Sequence, residues 1–487
     1  MTSAESVTTG TARTERGAGE PTGIGEPRAG QPTGIGEPRT GQPTGGGEPT
    51  DAGEPLARAR ERWGELAWTN ALLAVTTAAR ASTEGPLAGL TFTVKDTFAA
   101  AGLPSTGGSL LLAGHVPERD ATLIARLKAA GATLFAKANC AEFGNGIDTE
   151  TRIGGRVLHP ADPAVSPGGS SGGDAVAVAG GIVDFAIGGD YGGSVRWPAQ
   201  CTGVYGLRTS AGLVPRTGRM PSGGGTREHP FVGAPAPRGL LSRVEVPGIF
   251  ARDPALIPRI LDVIAGPDSD DWFGLTAPAP PGRRTRRLAV TTGREVGPVS
   301  AESLDALAAA RQAARRAGFE IIDADGLLAD ATAVYNTLRD DLDVLDDLRL
   351  LVGDDIDLVC PGTRAVLAAP PGRGWAHPSV REAWRYSREI VARVAAVLAD
   401  ADALLVPVAP VSAVAHGAGV EIDGQFIQGP ALMAQCRAIS LTGLPSLAMP
   451  TMAAGRGRTT GVQVVGPPGG DGLCCSVAAE IAAELSL

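Results

Sequence analysis

Residues 166–208 read SPGGSSGGDAVAVAGGIVDFAIGGDYGGSVRWPAQCTGVYGLR, and the rest of the chain is organised around them. Two glycine clusters carrying serines, Gly168–Gly173 and Gly192-Gly193-Ser194, flank an apolar run long enough for one buried helix and a strand. Glycine at this density costs backbone entropy, so a fold keeps it where φ is positive or where backbones approach closely. Turns of this kind free N–H groups into a concavity that suits an anion, either a phosphate or a developing oxyanion. A phosphate loop would carry Gly-Lys-Ser or Gly-Lys-Thr, and no lysine occurs after Lys137. The serines are therefore read as nucleophile chemistry.

The lysines support that reading. Of 43 basic residues only Lys95, Lys128 and Lys137 are lysine, so arginine serves wherever positive charge alone is needed. Arginine cannot lose its proton in a protein, whereas a buried lysine can and then acts as a base. Lys128 falls in a charged helical pattern and is expected in solvent. Lys95 ends the alternating, strand-like run Leu90-Thr-Phe-Thr-Val-Lys95.

Residues 85–210, with LTGLPS (441–446) and GVQVVGPP (461–468), resemble the amidase signature family, serine hydrolases with a Ser–Ser–Lys triad in place of Ser–His–Asp. The resemblance implies Ser194 as nucleophile, Ser170 as the bridging serine after a cis peptide bond, and Lys95 as the base. It implies an oxyanion hole from the N–H groups of Tyr191, Gly192, Gly193 and Ser194. Ser171, Asp190 and Arg196 match supporting positions. The segment around 140–146 borders the acyl pocket in related amidases, which implies Cys140, Phe143 and Gly144 as substrate-binding, with Trp197 beside the nucleophile. Tyr191 stands where the family usually has threonine, and Trp197 where an aliphatic residue is commoner; both aromatics are expected to narrow the pocket or to form a stacking wall. NCAEFGNGID (139–148) and VDFAIGGDYGGSVRWPA (183–199) are most similar to the indole-3-acetamide hydrolase-like branch.

The implied activity is hydrolysis of a small carboxamide through an acyl-enzyme. An acyltransferase using the same intermediate is the alternative, followed by an inactive binding relative. The branch similarity argues against the amidase component of a tRNA amidotransferase. No cofactor and no metal are expected, since the five histidines show no ligand spacing; His229, in a Gly- and Pro-rich loop, is the one with a route to the substrate pocket.

Hydrophobic residues make up 43% and charged residues 20%, enough apolar material for a sizeable core. A net charge of −9 argues against nucleic acid or an anionic membrane as partner. No apolar leader and no apolar run of spanning length is present, and six scattered cysteines suit a reducing compartment, so a cytoplasmic location is expected. Homodimers are common in the family.

Residues 1–54 hold three 11-residue Pro/Gly repeats (21–31, 32–42, 43–53) with little to stack, and read as a disordered tail. Residues 55–487 read as one α/β domain: helix 119–131 followed by strand 133–139, helix 301–318 by strand 319–323, and helix 379–399 by strand 403–410. That rhythm predicts a mixed, twisted sheet covered by helices, as the resemblance also implies.

Overall fold

The expected alternation between strand and helix begins with the run that ends at Lys95. In the computed structural model this run is a strand, Thr91–Lys95, with every residue buried. The model describes residues 53–77, 81–220, 244–271, 284–341, 345–453 and 458–485. The repeat tail, apart from its last two residues, and His229 with its loop lie outside the described residues.

The strands are β1 (Leu72–Val75), β2 (Thr91–Lys95), β3 (Thr133–Ala138), β4 (Glu150–Thr151), β5 (Gly155–Arg156), β6 (Phe185–Asp190), β7 (Tyr205–Arg208) and β8 (Val246–Ala251). They continue as β9 (Arg287–Val290), β10 (Glu320–Asp323), β11 (Ala403–Pro407), β12 (Val420–Ile422), β13 (Gln425–Ile427), β14 (Ser446–Ala453) and β15 (Thr459–Val465). Eleven of them form one sheet in the order β1-β3-β2-β6-β8-β7-β14-β15-β11-β9-β10. Pairing is parallel for β3-β2-β6 and for β11-β9-β10, and antiparallel elsewhere, so the sheet is mixed as expected. These elements fall in one compact unit, Pro49–Leu487.

Alternation along β2 places the site. Phe92 and Val94 point into the larger core, where Phe92 stacks on Phe185 of β6 at 5.2 Å. Each large apolar side chain buried this way contributes about 1.5–3 kcal/mol. Thr93 and Lys95 face the other side, where Thr93 donates to Asp174 of the helix Gly172–Ala179 at 3.2 Å. That helix can lie so close because Gly173 has no side chain: a Cβ there would sit 2.3 Å from the Asn139 carbonyl oxygen.

The predicted helices are found at Thr122–Ala129, Ala301–Arg316 and Pro378–Asp400. Ser300 caps the second by accepting from the Ser303 amide at 3.2 Å. Lys128 is on the outer face of the first, paired with Asp120 at 2.8 Å. Four helices without a sequence signal complete the fold around the site: Ala331–Asp341, Leu345–Val352, Pro361–Leu367 and Ala434–Ser440. Among the described residues no helix is long and apolar enough to cross a membrane.

Candidate active site

Lys95, at the end of β2, is 1% exposed and donates from Nζ to Ser170 Oγ at 2.6 Å. Burial pushes its pKa down to about 8; the nearby Cys140 thiol opposes the fall and Arg219 adds to it. Asp174 lies close by, and burial holds its carboxyl well above the usual range despite the pull of Lys95 and the Thr93 hydroxyl. Lys137, the third lysine, is also fully buried, but it is ion-paired with Asp96 at 3.3 Å and donates to Ser105 at 2.9 Å.

Ser170 follows a cis Gly169–Ser170 peptide bond, as the resemblance implies. Its loop is pinned on both sides. Thr149 Oγ1 donates to the Gly168 carbonyl and accepts from the Gly172 amide, each at 3.0 Å, while the Ser170 carbonyl accepts from the Ala141 amide at 3.0 Å. Ser171 reaches β6 and exchanges long hydrogen bonds with Gly189. Gly168 packs on the start of the helix Arg196–Thr202, within 2.8 Å of Pro198 Cα from its side-chain position. The Ser170 loop thus lies against the Ser194 loop.

Ser194, 7% exposed, stands between β6 and that helix. Its loop is shaped by Asp190. The Asp190 carboxylate accepts from the amides of Gly193 at 3.0 Å and Val195 at 3.2 Å, and from Arg196 Nε at 3.0 Å and Nη2 at 2.9 Å. Arg208 adds a contact at 3.2 Å. Burial alone would raise this carboxyl, but the two guanidiniums hold it well below the carboxylate range. Arg196 continues to Gln463 at 2.7 Å and Ser440 at 2.6 Å, and Ser446 donates to Gln463 at 2.9 Å. LTGLPS and GVQVVGPP therefore meet behind the Ser194 loop, where Gln463, held by Ser446, braces Arg196. Gly193 turns with φ +125°, and a Cβ there would strike Cys436 at 2.7 Å.

Some expected residues are placed differently. The Gly193 N–H is taken by Asp190, so it is not a free oxyanion donor; among the described residues the amides of Tyr191, Gly192 and Ser194 have no acceptor. Trp197 is no stacking wall: it is 1% exposed and its indole donates to the Ile147 carbonyl at 3.1 Å, because the helix it starts turns it into the core. Cys140 and Phe143 are buried too, Cys140 beside Lys95 and Phe143 in a cluster with Leu112 and Met220. Gly144 does line the site, its side-chain position being 3.8 Å from both Lys95 Nζ and Ser170 Oγ. Tyr191 packs its ring on Tyr335 at 5.5 Å. Tyr335 and Arg437, on helices without a motif, were not legible as site residues.

The family model for amidases matches residues 59–337 and 372–475, which include Lys95, Ser170, Ser194, Gln463 and Arg437. The chain is 31% identical to the glutamyl-tRNA(Gln) amidotransferase A-subunit of Thermus thermophilus over 413 residues, 79% of this chain and 82% of that one. It is 42% identical to the corresponding protein of Haloarcula marismortui over 195 residues, 40% of this chain but only 42% of that relative's length. An amidase crystal structure superposes with a TM-score of 0.74 at 27% identity, covering 89% of this chain and 96% of that one. The named sequence relatives are amidotransferase A-subunits, so the finer likeness to indole-3-acetamide hydrolases is not borne out. The two stretches that carried it build Asn139, Gly144, β6 and the Ser194 loop.

Proposed function

The chain belongs to the amidase family, hydrolases of carbon–nitrogen amide bonds, and we propose that it cleaves a small carboxamide through an acyl-enzyme on Ser194. The observation that carries this reading is the 2.6 Å contact between Ser170 and a buried Lys95 that has no ion-pair partner among the described residues. Lys95 in its neutral form takes the Ser170 proton as Ser170 takes that of Ser194, and the Ser194 oxygen attacks the carbonyl carbon. The amides of Tyr191, Gly192 and Ser194 receive the negative charge that forms on the carbonyl oxygen. One such donor is worth about 10²–10³ in rate. The proton returns through Ser170 to the departing amine, and water attacks the acyl-enzyme by the same relay.

The base must be neutral, and its pKa lies near 8. Below that value kcat/KM is expected to climb about tenfold per pH unit, and above it to level off. A profile flat from about pH 6 to 9 would remove Lys95 from the role. The primary test is ammonia release from a panel of primary amides, with Ser194→Ala as the control, alongside labelling of Ser194 by a fluorophosphonate. Failure of both readouts in the wild-type chain sinks the acyl-enzyme.

The Thermus relative favours one second reading, a glutamine-hydrolysing component of an amidotransferase. It uses the same triad and predicts that glutamine is the preferred amide and that activity depends on partner proteins.

A further inference from the structure

Seven basic side chains are buried among the described residues, and five of them face a carboxylate. Lys137 has Asp96, Arg196 and Arg208 share Asp190, Arg216 has Asp271, and Arg219 has Glu245. The two exceptions are Lys95 and Arg437. Lys95 can shed its charge; an arginine cannot. Arg437 is 8% exposed, donates to the neutral Asn336 amide oxygen at 2.5 Å, and leaves its Nε buried without a partner. A guanidinium left this way costs stability that a carboxylate partner would offset.

Its position is next to the chemistry. The Arg437 stem passes 3.3 Å, and the Tyr335 hydroxyl 2.7 Å, from the side-chain position of Gly192 in the nucleophile loop. The Arg437 guanidinium lies 5.5 Å from the Tyr335 ring centre. One turn beyond Tyr335 on its helix, Arg339 donates to Asn145 at 3.3 Å, beside Gly144 and hence beside Lys95 and Ser170. Arg339 is ion-paired at 2.9 Å with Asp340, whose side chain is 63% exposed. Among the described residues no acid pairs with Arg437, and the acid that pairs with Arg339 is largely solvated.

We propose that Arg437, with Arg339 at the rim, binds a carboxylate on the acyl chain of the substrate, so that the preferred amides are monoamides of dicarboxylic acids. This rests on the acyl-enzyme reading above. A guanidinium fork matches a carboxylate in geometry as well as in charge. An α-ammonium group, as in glutamine, would be repelled by the two guanidiniums, so the favoured ligand is net anionic and not zwitterionic.

The test is calorimetric, in the Ser194→Ala background where nothing turns over. Glutaramate and succinamate are compared with their neutral diamides, glutaramide and succinamide, and with glutamine. The monoamides are expected to bind about 10- to 100-fold more tightly than the diamides, and glutaramate more tightly than glutamine. Adding Arg437→Gln should bring monoamide and diamide within a factor of about three, while Arg437→Lys keeps part of the preference. Arg339→Gln, on a side chain that reaches solvent, should lose a smaller part and guards against a misfolded Arg437 variant. Equal binding of monoamide and diamide overturns the proposal, as does a preference that survives both the Arg437→Gln and Arg339→Gln changes. Absence of both ammonia release and fluorophosphonate labelling in the wild-type chain, with the binding preference intact, would remove the acyl-enzyme and leave the carboxylate subsite standing.

Discussion

Lys95→Arg is expected to lower kcat/KM for every accepted amide by about 10²–10⁴ and to abolish the rise in rate towards pH 8. The substitution keeps the charge and most of the length, so a merely electrostatic role for Lys95 would survive it. What it removes is the neutral form. Burial depresses the lysine to about 8, which places the unprotonated amine within reach at ordinary pH, 2.6 Å from Ser170. No comparable shift makes a guanidinium a base. Lys95→Met separates chemistry from folding, because it fills the space with an uncharged chain and lifts the cost of burying a cation. That variant should be at least as stable as the parent to denaturant and equally inactive. An arginine variant within about tenfold of the parent, with its pH dependence retained, would show that the proton goes elsewhere.

The parts of the molecule legible in the sequence are those where local pattern and chemistry agree. The alternation of Thr91–Lys95 and the capped, amphipathic run from Ala301 have one reading each, and the fold adopts both. The two serine-bearing glycine clusters were readable for the same reason, since close packing at Gly173 and the turn at Gly193 require glycine in any fold that makes them. Lys137 was not readable: its strand looks like that of a core lysine or an edge lysine alike, and only Asp96, from the end of β2, decides which. Tyr335 and Arg437 were hidden more deeply. Nothing local to ATAVYNTLRDD or AQCRAIS signals that both converge on Gly192. Trp197 misled for the opposite reason. Adjacency to the nucleophile in sequence suggested a pocket wall, but the first turn of a helix sends neighbouring side chains in different directions, and this one points to Ile147.

Asp190→Asn is expected to cost about 3–5 kcal/mol of stability, because it removes the carboxylate that, among the described residues, is ion-paired with two fully buried guanidiniums. Asparagine matches the shape and can still accept one of the loop amides, so the loss is electrostatic and not a cavity. Arg208 suffers most. Burial already pulls it down to about 10 while Asp190 holds it up, and without the carboxylate it keeps only a carbonyl contact. The pH dependence gives an independent check. The folded pKa of Asp190 is depressed, so its contribution is fully present above the unfolded value of about 3.9 and is lost progressively as pH falls towards the folded value. Urea midpoints measured from about pH 7 down to pH 3 should therefore fall more steeply for the parent than for the variant, the gap narrowing as acid protonates Asp190 in the unfolded parent. The same substitution frees the Gly193 and Val195 amides, so the loop bearing Ser194 loses its anchor, and fluorophosphonate labelling at pH 8 should slow even where the variant remains folded. Parallel urea curves at all pH values would mean that another charge compensates the two arginines, and the buried pair would then owe nothing to Asp190.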